Sequence, residues 1–231
     1  MACRMMARRS MLWLTAGGAA ALLGGCGSRN ALRYKMTVEV DTPEGVKSGF
    51  AVRELTYDAG SSWFPFGESR GRIYVKGDAV AIDLPGRRAL FALLAGADGN
   101  VDYAGQGIST IFRVMDRRSG SEGGPHELWP HIPSIREPIT NPMPMLVTFR
   151  DIDDPTSVER VDPANLTVSF GPGVRLKRIT VEATDEDVTI GIERRLEWLV
   201  DKNRKRFDPS NKPEGIPLGN YRRLFSTEFS K

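Results

Sequence analysis

The sequence predicts a strand-dominated α+β fold: an antiparallel β-sheet domain with one C-terminal amphipathic helix and a long Pro/Gly-rich loop. Three observations lead there. From Leu32 to Val40 the chain alternates strictly, with Leu32, Tyr34, Met36, Val38 and Val40 on one face and Arg33, Lys35, Thr37 and Glu39 on the other. Ile192, Leu196 and Leu199 fall at i, i+4 and i+7 beside Trp198, the spacing of one helical face. Between Ser119 and Pro144 stand six prolines and three glycines, a density that excludes a regular element of any length.

The elements follow in order. Asp41-Thr42-Pro43-Glu44-Gly45 is turn chemistry and closes a first hairpin onto a strand over about Lys47 to Tyr57. In that strand Phe50 and Val52 share one parity and Leu55 and Tyr57 the other, so a β-bulge is expected at Arg53-Glu54. Gly71 to Val75 and Val80 to Leu84 read as a hairpin around Lys76-Gly77-Asp78. Arg88 to Leu94 fits a buried strand or two helical turns equally, because periodicity does not decide so short an apolar run. Ile108 to Met115, Met145 to Phe149 and Leu166 to Phe170 are further strand candidates. Gly171-Pro172-Gly173 forces a tight turn into a strand from Val174 to Ala183. Beyond the helix, KNRKRFDPSNKPEG is a polar, proline-broken surface segment. No internal repeat or low-complexity tract interrupts the chain. The expected division is 1–25, a signal segment; 26–31, a tether; and 32–231, a single β-rich domain with a loop insertion at about 119–144.

The first residues have the three parts of an export signal. Arg4, Arg8 and Arg9 make a positive start, and Met11 to Leu23 form an apolar core too short to span a bilayer as a helix. Leu23-Gly24-Gly25-Cys26 then resembles the lipobox of bacterial lipoproteins. That resemblance implies cleavage after Gly25, a diacylglyceryl group on the Cys26 thiol, and a further palmitate-type acyl chain on the new amine. More than one chain is needed because a single acyl group anchors only marginally. Ala7-Arg8-Arg9-Ser10-Met11-Leu12 also has the form of a twin-arginine signal, and Met6 offers a second start.

Removing the signal changes the charge. The full chain carries +3, from 32 Lys+Arg against 29 Asp+Glu. Three of those arginines lie in the signal, so 29 basic residues face 29 acidic ones from Cys26 onward. A balanced chain lacks the field that draws nucleic acid, and a nucleic-acid partner is excluded on charge. The chain has two cysteines. Cys3 leaves with the signal and Cys26 is consumed by lipid, which leaves no disulfide and no thiolate nucleophile.

RYKMTVEVDTPEGVKSG near the start, and DPTSVERVDPANLTVSFGPGVRLKRITVE with TIGIERRLEWL near the end, resemble a family of proteobacterial proteins, several of which carry lipoprotein signals. The similarity covers most of the mature chain, and SFGPGVRLKRIT is its most distinctive stretch. It implies a common fold and an envelope setting, and no mechanism, since no activity is assigned to that family.

Four stretches invite chemistry. In PHELWPH, His126, Glu127 and His131 approach a zinc-protease signature, which needs its histidines at i and i+4 on a helix. Here the second histidine stands at i+5, turned about 140° away on an ideal helix, and Pro130 would break that helix. Zinc prefers four ligands, and no third histidine or spare cysteine is present, so no metal or other cofactor is expected. Gly67-Glu68-Ser69-Arg70-Gly71 matches G-x-S-x-G, but runs from loop to strand where a nucleophile elbow runs from strand to helix. Asp151, Asp153 and Asp154 cluster carboxylates, yet the stretch has Thr156 and Asp162 where a calcium loop needs Gly and Glu. Turn-forming aspartates explain the cluster with less. Trp63, Phe64 and Phe66, set among Ser and Gly, are the binding candidate, against the plainer reading that they cap a core.

The expectation is a membrane-anchored envelope lipoprotein, a non-catalytic binding or structural module. Its partners would be the membrane, through the N-terminal lipid, and an envelope protein or a small ligand. The alternative is a lipid-tethered periplasmic hydrolase using Ser69 or a metal near His126 and His131. Gly27 and Ser28, following the lipidated cysteine, lack the aspartate that retains many lipoproteins on the inner membrane, which predicts an outer-membrane protein facing the periplasm.

Overall fold

The computed structural model describes residues 31–58, 72–131 and 141–200. Its strands are β1 (Ala31–Thr42), β2 (Gly45–Asp58), β3 (Arg72–Lys76), β4 (Val80–Leu84), β5 (Arg88–Gly96), β6 (His126–Trp129), β7 (Pro144–Phe149), β8 (Val158–Arg160) and β9 (Arg175–Ala183). They form two antiparallel sheets, one ordered β3-β2-β1-β9-β6 and the other β4-β5-β7-β8. The helices are α1 (Ile108–Ser119) and the single turn α2 (Thr167–Phe170). Among the described residues no helix is long and apolar enough to cross a membrane.

The strand-dominated α+β class holds, and β1 is the alternating strand its sequence predicts. Tyr34, Met36, Val38 and Val40 are fully buried and meet Val80, Ile82, Leu84, Leu90, Ala92 and Leu146 of the other sheet in one core. Alternation survives because one face of this sheet is covered and the other is wet. The four-stranded sheet is covered on both faces, which makes RALFALLAG a continuous apolar run. Leu90 and Ala92 point into the intersheet core, while Phe91, Leu93 and Ala95 point outward to Ile192, Leu196 and Leu199. Where β2 crosses β4 a β-carbon on Gly49 would stand 2.5 Å from the Ala81 carbonyl oxygen. Only glycine fits there.

The helix is not where the sequence placed it. Ile192 and Leu199 lie on two 3-10 turns, Ile192–Arg194 and Glu197–Leu199, separated by Arg195 and by Leu196 at φ −122°, ψ 74°. Tertiary bonds override the helical spacing here: the Ile192 amide donates to Asp78, Arg195 pairs with Asp83, and Trp198 Nε1 donates to the Ile152 carbonyl at 2.9 Å. The substantial helix is instead central, α1, over the expected strand Ile108 to Met115. Ile108, Ile111 and Phe112 bury its inner face, and Gly120 closes it with a bond to the Asp116 carbonyl.

Further corrections follow from the same principle. The expected Pro/Gly-rich loop at 119–144 is not found as such: His126–Trp129 pairs with β9 as a sheet edge, and 132–140 lie outside the described residues. Prolines flank β6 at Pro125 and Pro130, positions an edge strand tolerates. Leu166 to Phe170, expected as a strand, is the N-cap residue Leu166 followed by α2, with Val168 81 % exposed. The Arg53-Glu54 bulge is absent, since β1 and β2 stay in register from Ala31↔Thr56 to Thr42↔Gly45. The parity is constant because Arg53, not Val52, faces the core. Nor do β3 and β4 form a hairpin; the chain changes sheets between them. Gly77 makes the crossing at φ +128°, where a β-carbon would lie 2.9 Å from the Val52 carbonyl oxygen.

Candidate functional site

The histidine stretch is built by β6. A strand sends successive side chains to opposite faces, so His126 turns inward and Glu127 outward. His126 is 4 % exposed, with its Nε2 2.6 Å from Asp116 Oδ1 and its ring edge-on to Phe112 at 5.5 Å. The same Asp116 oxygen accepts the Gly123 amide at 3.1 Å, so one carboxylate ties the end of α1 to the turn and to β6. His131 stays in solvent, its Nδ1 3.0 Å from Glu127 Oε1. Trp129 Nε1 donates to the Leu176 carbonyl at 3.2 Å. The two histidines therefore serve different faces and different carboxylates. No three of the described His, Cys, Asp and Glu residues gather closely enough to hold a metal ion.

The aspartate cluster is a set of turns. Asp151 Oδ1 accepts the Asp153 amide at 3.1 Å, and Asp154 caps the 3-10 turn at Pro155–Ser157 by accepting the Thr156 amide at 2.9 Å. Carboxylates committed to local amides are the ordinary use of Asp before Pro. Ser69, Trp63, Phe64, Phe66, Gly25, Cys26 and the run from Lys202 to Arg206 lie outside the described residues.

Sequence reasoning missed the most unusual group, Arg53, whose side chain is fully buried between the sheets. Its Nε donates to the Asp78 carbonyl at 2.9 Å and one terminal nitrogen to the Ala92 carbonyl at 3.2 Å. The other terminal nitrogen faces the Tyr34 hydroxyl at 3.5 Å and Met36 Sδ at 3.8 Å. Tyr34 in turn donates to the Ala104 carbonyl at 3.1 Å. Burial raises the Tyr34 phenol above its ordinary range, against the lowering influence of Arg53. Burial also pushes Tyr103 well above that range, and its hydroxyl donates to the Pro142 carbonyl at 2.9 Å.

Asp78 closes the arrangement. Its amide donates to the Thr189 carbonyl at 3.1 Å, its Oδ2 accepts the Ile192 amide at 2.9 Å, and its buried Oδ1 has no partner among the described residues. Thr189 reaches β2 twice, accepting the Val52 amide on Oγ1 and donating its own amide to the Val52 carbonyl. The centre thus joins β1, β2, the β3–β4 crossing, β5 and the segment after β9. A guanidinium with no exposed atom cannot meet a substrate from solution; what it can do is fix the two sheets against each other.

Comparison with known proteins adds no relative: no protein-family model matches the chain, and neither does any curated protein or solved structure.

Proposed function

We propose that this chain is a lipid-anchored cell-envelope lipoprotein whose β-rich domain is a non-catalytic binding or structural module. The observation that carries the reading is the N-terminal order: Arg4, Arg8 and Arg9, the apolar run to Leu23, then Leu23-Gly24-Gly25-Cys26. Its partners are the membrane, through lipid on Cys26, and an envelope protein or small ligand. The outer membrane, with the domain in the periplasm, is its proposed place, and the family resemblance of the two motif stretches belongs to the same reading.

The chemistry of the histidines supports the non-catalytic side. A general base needs a ring nitrogen within reach of a substrate proton. His126 holds its Nε2 against Asp116 with almost no exposure, and His131 stands on the other face with Glu127. A hydrolase using either would have to bring its nucleophile to a buried ring or to an open surface.

Fractionation of cells expressing the full chain tests the proposal. Wild-type protein is expected in the outer-membrane fraction, and Cys26→Ser protein, without its acyl chains, in the soluble periplasmic fraction or retained as the uncleaved precursor. A mature, fully cleaved Cys26→Ser protein sedimenting with the membrane as wild type does would overturn it.

A further inference from the structure

We infer that the end of the five-stranded sheet where β1 begins faces the bilayer, and that Tyr57, Arg72 and Tyr74 there enter its headgroup zone. The inference rests on the lipid anchor proposed above and adds an orientation to it. Five residue steps separate Cys26 from Ala31, so the start of β1 lies within about 18 Å of the Cα of the lipidated cysteine, even fully extended. The far end of β1, at Thr42, is about 36 Å further along the strand at roughly 3.3 Å per residue. The tether therefore selects one end of the sheet.

Register shows what that end carries. Ala31, Thr56 and Tyr74 form one cross-strand row, Tyr57↔Ile73 is the next row outward, and Asp58↔Arg72 the next. Tyr74 thus stands about 10 Å across the sheet from Ala31, and Arg72 about 7 Å beyond the Ala31 row. Tyr57 and Tyr74 are half exposed, at 50 % and 53 %, and Arg72 is exposed. A phenol sits well where one end of the ring is apolar and the other wet, and an arginine extends its charge to the phosphates. The opposite flank of β1 is taken up by ion pairs: Glu186 bonds Lys35 at 2.7 Å and Asp187 lies 3.9 Å from Arg33. The β2–β3 corner is the side that suits a bilayer. The outer face of the sheet suits it poorly, being laced with ion pairs such as Glu39 with Arg178 and Arg33 with Glu54.

Single-site spin labels test this on the intact lipidated protein. Cys3 leaves with the signal and Cys26 is acylated, so one introduced cysteine is the only free thiol. Thr56→Cys, in the Ala31 row, and Pro43→Cys, in the far turn, would each be labelled and reconstituted in phosphatidylcholine vesicles containing a nickel-chelating lipid. The headgroup nickel should relax the label at 56 several-fold more than the label at 43. Adding Tyr57→Ser and Tyr74→Ser should weaken the relaxation at 56, while the tether keeps it above that at 43. Equal relaxation at both sites, as in a domain lying flat, overturns the orientation. A contrast untouched by the two serine substitutions overturns the role of the tyrosines. The intact mass of the same preparation separates the two proposals: a chain without acyl groups on Cys26 defeats the anchor, and the orientation with it.

Discussion

Arg53 sits opposite Tyr34 on the buried face of the sheet, where a charge is costly unless its donors are used. Its acceptors diverge: the Asp78 carbonyl from the crossing between sheets, the Ala92 carbonyl from β5, and the Tyr34 phenol from β1. A planar fork reaches all three at once, and an ammonium does not. Arg53→Ala should therefore lower unfolding stability by about 3–5 kcal/mol, through the cavity and the orphaned carbonyls, and Arg53→Lys should recover little of it. Urea unfolding followed by tryptophan fluorescence measures both; an Arg53→Ala loss below about 1 kcal/mol, the worth of one ordinary hydrogen bond, would remove Arg53 from its place as the pin between sheets. The sequence hid this residue because a charged side chain in a strand reads as solvent-facing. The signal was Gly49, Ala51 and Leu55, three small or apolar residues at the parity of Arg53.

Among the elements, the segment from Ile192 to Leu199 does the work expected of a helix without being one. It lies over the outer face of the four-stranded sheet and is held at Asp78, Asp83 and Ile152. The hydrogen-bonded pairing with Arg195 holds the Asp83 carboxyl below its ordinary value. A lowered folded pKa means that the unfolded chain binds more protons across the window, so the contribution is present above about pH 3.9 and is lost as pH falls through the folded value. Asp83 is mostly exposed, which keeps the pair to about 0.2–1 kcal/mol. Asp83→Asn should cost that much at pH 7 and progressively less as pH falls below about 3.9, as read from urea midpoints; a deficit unchanged down to pH 2 would assign the loss to packing. The mismatch between spacing and structure has a physical source here. Three apolar residues at helical intervals bury one face equally well from two 3-10 turns when tertiary partners take the free amides. In α1 the same signal was complete, Ile108, Ile111, Phe112 and Met115 at i, i+3, i+4 and i+7 with Gly120 behind them, and its β-branched residues obscured it.

Over the whole molecule, what a one-sided sheet must do was legible and what depends on distant partners was not. β1 alternates because one face is wet, and the turn at Pro43-Glu44 joins it to β2. Which sheet β3 and β4 would join depends on the Gly77 crossing, and a hairpin and a sheet change have the same local sequence. The histidine spacing excluded a zinc helix, yet nothing local told that His126 would turn inward to Asp116 while His131 met Glu127. Under the proposed anchor, two sheets pinned together by the buried Arg53 would stand at a membrane on a short tether. That account depends first on Cys26. The measurement that tests it most directly is intact and N-terminal peptide mass spectrometry of the full chain purified from bacterial membranes. The account predicts a mature protein beginning at Cys26, heavier than its sequence by a diacylglyceryl group and an acyl chain. A mature chain with a free Cys26 thiol, or one that retains residues 1–25, would contradict it.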